Sequence, residues 1–314
     1  MDTIMAEEDE EIPAERPPLD PPPEMSVKDA VTASRFRMSG EHAALWFEGR
    51  GDVLIVSFDN LATVDEGWPR APWMDWRLAT LGYSVLGVQS HAKDWFRAPT
   101  APDLLKQLQD LGFFARFRKV VLMGASMGAF AALNYAPLIP GSTVLAFSPQ
   151  STMNKTIAPF EKRFPFSVRK SNWEGMPFLD AAAAIPYIHR VVMLFDPFVP
   201  EDNAHAARMT GPNVEQLKIR HATHEAIRVV LKSDAFYPLL QSVVETDGAS
   251  ADFWRAYRGR RDVRKWLRAF IERLDATRRP ALTLAAGTRI LAFKDMAVVE
   301  RAVKRARNQL GQSQ

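Results

Sequence analysis

Two glycines flank a serine in the segment VVLMGASMGAF, which spans residues 120–130. Gly124, Ser126 and Gly128 fit the pattern G-x-S-x-G, in which a sharp turn from a strand into a helix exposes a serine hydroxyl that can act as a nucleophile. Glycine suits both flanking positions because the backbones on either side of such a serine approach too closely for a Cβ atom. Chance would place this short pattern in roughly one chain of this length in twenty-five, so an ordinary glycine-rich turn is the alternative. Residues elsewhere in the chain must decide between a catalytic serine and such a turn.

Strand-like and helix-like segments alternate around this serine. The segments RFRMSG and AALWFEG predict a β-hairpin. Continuous apolar runs, which are typical of parallel strands buried on both faces of a sheet, predict six further strands. These runs lie at residues 53–58, 83–89, 119–124, 143–148, 190–195 and 214–220. Helical spacing of apolar residues within 101–117 and 127–136 predicts crossover helices, so the expected fold class is α/β.

This order of elements resembles the α/β-hydrolase fold family over about residues 34–246. In that family the nucleophile follows the fifth strand, an acid follows the seventh and a histidine follows the eighth. Here Ser126 follows the fifth predicted strand, FDPFVPED follows the seventh and HATHEA follows the eighth. The resemblance implies an eight-stranded, mostly parallel sheet flanked by helices, with a lid insertion at about 149–188 and a C-terminal helical extension at 252–314.

The resemblance also implies a Ser-His-Asp catalytic triad. Asp196 is the expected acid because D-x-x-V-P resembles the family's acid loop, and Glu201 and Asp202 are alternatives. An acid in the first turn of a helix, such as Asp202, is also expected simply to complement the helix dipole. His224 is the expected base because it lies on a loop, whereas His221 continues the predicted strand. The other histidines are expected at surface or structural positions, and they are His42, His91, His189 and His205.

An oxyanion hole is expected from the backbone N–H of Met127 and a second donor after the third strand. Many family members carry His-Gly there, whereas this chain carries SFDNLATVDEGW, so the candidates are Phe58, Asp59 and Asn60. An unpaired aspartate would oppose a developing oxyanion, so Asp59 should point away or be paired.

Aromatic residues of the insertion could line an apolar acyl pocket or could form a small core of the insertion itself. The second use is expected for most of them, since a connection of this length must also pack. The candidate pocket residues are Asn60, Trp95, Phe160 and Trp173.

Composition excludes several kinds of chemistry. The chain of 314 residues has no cysteine, which excludes disulfides, thiolate catalysis and zinc-thiolate sites, and the resemblance implies neither a metal nor an organic cofactor.

Residues 1–24 hold nine acids and one arginine and are rich in proline, which predicts a disordered tail over 1–25. Without a signal-like start or a membrane-length apolar run, the expectation is a soluble, cytoplasmic protein.

The basic C-terminal region carries apolar stripes at helical spacing, so we expect helices that pack on the hydrolase domain or on a protein partner. Nucleic acid is not the expected partner, because no recognised binding module accompanies the arginines.

The resemblance and the candidate residues leave three function classes open. The first is a serine hydrolase that cleaves an ester or thioester of a small-molecule acyl substrate through an acyl-enzyme. An acyltransferase with the same triad and a catalytically impaired interaction protein are the alternatives.

Overall fold

The computed structural model describes residues 19–175 and 177–311. Its centre is an eight-stranded sheet in the order β1-β2-β4-β3-β5-β6-β7-β8. The strands are β1 Arg35–Ser39, β2 Ala43–Glu48, β3 Val53–Phe58, β4 Ser84–Ser90, β5 Lys119–Ala125, β6 Thr143–Phe147, β7 Arg190–Phe195 and β8 Val214–Lys218. Strand β2 is antiparallel to β1 and to β4, and all other neighbouring strands are parallel. The expected fold class and hairpin are confirmed.

Helices cover both faces of the sheet. They are α1 Val27–Ala30, α2 Asp75–Ala79, α3 Thr100–Asp110, α4 Met127–Tyr135, α5 Pro165–Val168, α6 Ala181–Ala184, α7 Pro200–Arg208, α8 Ala226–Lys232, α9 Phe236–Thr246, α10 Ala251–Ala256, α11 Arg264–Ala276, α12 Pro280–Leu291 and α13 Ala297–Gln309. Because both faces are covered, every residue of β3, β4 and β6 is buried, which explains why these strands read as continuous apolar runs. Across the described residues, no helix has the length and apolar character needed to cross a membrane.

The disordered tail that the sequence predicts, residues 1–25, includes residues that pair with the sheet. Residues 1–18 lie outside the described residues, but residues 23–25 pair with β1. The Met25 amide donates to the Arg37 carbonyl and the Arg37 amide donates to the Pro23 carbonyl, both at 2.9 Å. The Glu24 carboxylate accepts from Arg37 Nε at 2.7 Å and from the Ser39 amide at 2.5 Å. The prediction of disorder up to residue 25 is therefore wrong, because an ion pair and backbone hydrogen bonds hold this segment to the sheet edge.

The C-terminal extension packs on the domain that contains the sheet. Trp266, on α11, is buried, and its indole N–H donates to the backbone carbonyl of Arg220 at 2.9 Å. Ile271 is fully buried in the apolar cluster that also contains Val229 of α8 and Phe236 of α9. Of the two locations that the sequence left open for these helices, the structure shows packing against the chain's own core.

Replacing Ile271 with alanine should lower the free energy of unfolding by about 2–5 kcal/mol, because it leaves a cavity where α11 meets the core. Leu282→Ala, at a position that is 52% exposed on α12, is the control and should change it by no more than about 0.5 kcal/mol. Denaturant unfolding of the full chain measures both. Equal stability of the two variants would mean that the extension does not stabilise the domain.

Candidate active site

Ser126 forms the turn between β5 and α4. Its backbone angles are φ 52° and ψ −113°, a combination that non-glycine residues rarely adopt. The turn is held on both sides, since the Ser126 amide donates to the Phe147 carbonyl at 2.9 Å and the Ser126 carbonyl accepts from the Phe130 amide at 3.0 Å. Such a turn lifts the hydroxyl above the carboxyl edge of the sheet.

The flanking glycines are required by close backbone contacts. A Cβ atom on Gly124 would lie 2.3 Å from the carbonyl of Gly128. A Cβ atom on Gly128 would lie 2.7 Å from the carbonyl oxygen of Asp59 and 2.8 Å from that of Phe58. The expected close approach at these two positions is confirmed, and it brings the start of α4 against the end of β3.

His224 connects Ser126 to an acid. Its Nε2 lies 2.9 Å from Ser126 Oγ, and its Nδ1 lies 2.8 and 2.9 Å from the two carboxylate oxygens of Asp202. An ionised carboxylate can only accept hydrogen bonds, so the ring proton is on Nδ1 and Nε2 is free to accept the serine proton. Asp202 is the third residue of α7, and its side chain is completely buried.

The expectation that Asp196 contacts His224 is corrected by this geometry. Asp196 is buried directly after β7, but its two carboxylate oxygens accept from the backbone amides of Phe198 and Thr223, both at 2.9 Å. Because both oxygens are used by the loops on either side, the carboxylate holds the loop of His224 without reaching the imidazole. Asp202 was an alternative and not the expected acid, because an acid in the first turn of a helix is common for reasons of helix electrostatics.

The second candidate base, His221, lies away from Ser126. Its ring packs among Phe198, Trp266 and Phe270, with ring centroids 5.0–5.5 Å apart, and burial lowers its pKa. His205 is fully buried and has the structural position expected of it. Among the histidines, His224 is the one that the structure brings to Ser126.

Of the expected second oxyanion donors, Asp59 is unavailable, because its amide already donates to the Val88 carbonyl at 3.2 Å. Phe58 is the last residue of β3 and its side chain is fully buried in the core, and its role as a donor stays a prediction. The Asp59 carboxylate is paired, as the sequence required, since Arg70 Nη2 lies 2.5 Å from it and the Ser90 amide donates to it at 3.2 Å.

The loop after β3 instead leaves the amide of Leu61 available. The Asn60 side chain accepts from the amides of Ala62 at 2.9 Å and Thr63 at 3.3 Å, while Thr63 Oγ1 accepts from the Asn60 amide at 2.8 Å. Within the part of the chain that the structure describes, the Leu61 amide has no hydrogen-bond acceptor. The N–H of Met127 also has no intrahelical acceptor, because Met127 is the first residue of α4. The spacing N-x-x-T is the signal that could have revealed this turn.

A cavity of about 430 Å³ contains both Ser126 and His224. Asn60 lines it, as expected, and Phe164 is the aromatic residue that the insertion contributes. The other apolar walls are Leu61, Trp73, Met74, Trp76, Ile227 and Leu231. The charged residues at the cavity are Glu66, Arg77, Glu225 and Arg228. These walls come mainly from the loop after β3, from α2 and from α8.

Three of the predicted pocket residues do not line the cavity: Trp95 and Trp173 belong to the core, and Phe160 is half-buried beside it. Trp95 is fully buried, and its indole donates to the Gln150 side chain at 2.7 Å. Trp173 donates to the Val168 carbonyl at 3.0 Å, and the Phe160 ring packs against His205. They pack the insertion onto the sheet, which is the alternative use that the sequence left open.

The three residues in contact lie beyond the ends of strands at one edge of the sheet, with Ser126 after β5, Asp202 after β7 and His224 after β8. The chain has the α/β-hydrolase fold. Strand order and the position of the turn at Ser126 identify it, although the acid that contacts His224 lies in the first turn of α7 and not directly after β7.

No family model and no curated protein sequence matches the chain. Among solved structures, the capsule O-acetyltransferase of Neisseria meningitidis serogroup A is similar over 65% of this chain and 93% of its own, with 9% identity and a TM-score of 0.46. An esterase of Pyrococcus furiosus covers 73% of this chain and 98% of its own, with 17% identity and a TM-score of 0.44. Est1E from Butyrivibrio proteoclasticus covers 65% and 98%, with 10% identity and a TM-score of 0.41.

Proposed function

We propose that this protein is a serine hydrolase that cleaves a carboxylic ester or thioester through an acyl-enzyme. The observation that carries the proposal is the chain of contacts from Ser126 Oγ to His224 Nε2 and from His224 Nδ1 to Asp202, on a strained turn that faces an apolar cavity. This arrangement has the parts that acyl transfer to a serine requires.

In the first step, Ser126 Oγ attacks the acyl carbonyl carbon while its proton passes to His224 Nε2. Asp202 stabilises the imidazolium that forms, because its carboxylate already accepts from Nδ1. The carbonyl oxygen becomes an oxyanion, for which the amides of Met127 and Leu61 are the proposed donors. The imidazolium then protonates the leaving alcohol or thiol, which departs.

In the second step, water releases the acyl group from Ser126. His224 Nε2 removes a proton from water, the hydroxide adds to the ester carbonyl, and the serine leaves with the proton that His224 returns. Free acid and regenerated enzyme are the products.

The cavity favours a substrate with an apolar group beside the reacting carbonyl. Its volume of about 430 Å³ is within the range of small-molecule sites, and aromatic and aliphatic side chains form its walls. The charged residues at the cavity have both signs, and Glu225 binds Lys265 and contacts Arg228 at 3.3 Å, which leaves little net charge to attract an ionic substrate. An uncharged ester with a short to medium alkyl or an aryl group fits these walls best.

Ser126→Ala should abolish both covalent labelling by a fluorophosphonate probe and hydrolysis of p-nitrophenyl esters, with turnover lowered by about 10⁴ to 10⁶-fold. Mass spectrometry of the labelled wild-type protein should place the adduct on the peptide that contains Ser126. Ser167→Ala, in the insertion, is the matched control and should label as the wild type does. An adduct on any other serine, or a wild type that neither labels nor hydrolyses, would refute the proposal. An added alcohol acceptor should leave free acid as the main product, and efficient transfer would favour an acyltransferase.

Leu61→Pro should lower turnover by about 10²–10³-fold, because it removes the N–H proposed as the second oxyanion donor. Leu61→Ala keeps that N–H and shortens only the side chain, so its turnover should stay within about tenfold of the wild type. Ester hydrolysis is measured for both after circular dichroism has shown that they are folded. Equal losses in the two variants would assign the effect to the side chain and exclude the amide as a donor.

A further inference from the structure

An arginine from the insertion reaches the acid that holds His224. Arg163 Nη1 donates to Asp202 Oδ1 at 2.9 Å and lies 3.3 Å from His224 Nδ1. Since Asp202 also accepts from His224 Nδ1, one carboxylate oxygen is shared between the imidazole and the guanidinium. The insertion therefore contributes a charged group directly behind the proposed base.

A second buried carboxylate fixes this arginine. Arg163 Nε and Nη2 donate to the two oxygens of Glu161 at 3.0 and 2.6 Å, which is the bidentate geometry of a strong arginine–carboxylate pair. Burial alone would raise the pKa of Glu161, but hydrogen bonds from His205 and Arg163 outweigh it and lower the pKa to about 2. Glu161 is therefore ionised over the whole physiological range.

His205 holds Glu161 from the other side through Nε2. The backbone amide of Ser151 donates to His205 Nδ1 at 3.1 Å, so that nitrogen carries no proton. The ring proton is then on Nε2, which lies 3.1 Å from Glu161 Oε2. The Ser151, His205 and Glu161 side chains superficially repeat the order of a catalytic triad, but Ser151 is fully buried and cannot meet a substrate.

We propose that Arg163 is a positioning residue of the active site, which orients Asp202 and sets the pH range in which His224 is an unprotonated base. The inference rests on the proposed role of His224 in acyl transfer. It assigns to the insertion an electrostatic role, in addition to the wall that Phe164 contributes to the cavity.

The charges around His224 determine whether a substitution makes protonation of its imidazole easier or harder. Asp202 and Glu161 are negative and Arg163 is positive, so the cluster behind His224 has one net negative charge, which an imidazolium would neutralise. Removing the positive charge of Arg163 makes protonation of His224 easier, and removing the negative charge of Glu161 makes it harder. The other charged groups near His224 are Asp196, which accepts from the amide of the adjacent Thr223, and four residues at the cavity. These four are Glu66, Arg77, Arg228 and Glu225, the last of which is bound by Lys265.

The test follows the rate of fluorophosphonate labelling of the full chain from about pH 5 to about pH 9. The labelling rate should rise with pH as the His224 imidazole loses its proton. For Arg163→Met the midpoint of this rise should move up by about one pH unit, so that labelling at low pH falls about tenfold and recovers at high pH. For Glu161→Gln the midpoint should move down, by less, because Glu161 contacts Arg163 rather than His224. Arg163→Lys keeps the positive charge, so its midpoint should return most of the way to that of the wild type.

Arg169→Met, an exposed arginine of the same insertion, is the control and should keep the wild-type profile. Opposite shifts for the Arg163 and Glu161 variants are required, because damage to the fold would lower labelling at every pH without moving the midpoint. Unshifted midpoints in both variants, or shifts in the same direction, would overturn the inference.

A measurement without catalysis separates this inference from the proposed function. The titration of the His224 ring is followed by NMR in histidine-labelled wild type and in Arg163→Met, with His224→Gln used to assign the signal. An upward shift of the titration midpoint by about one unit in Arg163→Met supports the role of Arg163 even if the wild type fails to label, which would refute only the hydrolase proposal. An unchanged midpoint would overturn the role of Arg163 whatever the protein's reaction.

Discussion

A carboxylate that is completely buried must be surrounded by hydrogen-bond donors if it is to keep its charge, and among the residues that the structure describes the side chains of His224 and Arg163 are the donors to Asp202. His224 comes from the loop after β8, and Arg163 comes from the insertion between β6 and β7. Because these segments are far apart in the chain, the site forms only when the insertion has folded onto the sheet. Glu161 and His205 extend the same network into the interior and hold the arginine in place.

The second constraint is the close backbone contact at the turn of Ser126. Gly128 lies against the carbonyls of Phe58 and Asp59, so the position of α4 is fixed relative to the end of β3. Both proposed oxyanion donors depend on this contact, because Met127 begins the helix and Leu61 lies in the loop that follows the strand. The buried pair of Asp59 and Arg70 keeps a negative charge in this loop away from the reacting carbonyl.

The sheet could be predicted from the sequence because strands buried on both faces require continuous apolar runs, as in β3 and β6. Ser126 and His224 could be selected from their order along the chain. The acid could not, because Asp196 and Asp202 differ in which backbone amides and side chains surround them, and these come from other segments. Arg163 lies in an irregular insertion without periodicity, where sequence patterns carry no information about three-dimensional neighbours.

The central claim is that Asp202, held by Arg163, is the acid of a working Ser-His-Asp triad. The most direct test compares fluorophosphonate labelling rates of Asp202→Asn and Asp196→Asn in the full chain. Asp202→Asn should lower the rate by about 10⁴-fold, because an amide favours the wrong imidazole tautomer. Asp196→Asn should lose about 1–3 kcal/mol of stability through its backbone contacts but label within about tenfold of the wild type. Full labelling of Asp202→Asn together with loss of labelling in a folded Asp196→Asn would contradict the account.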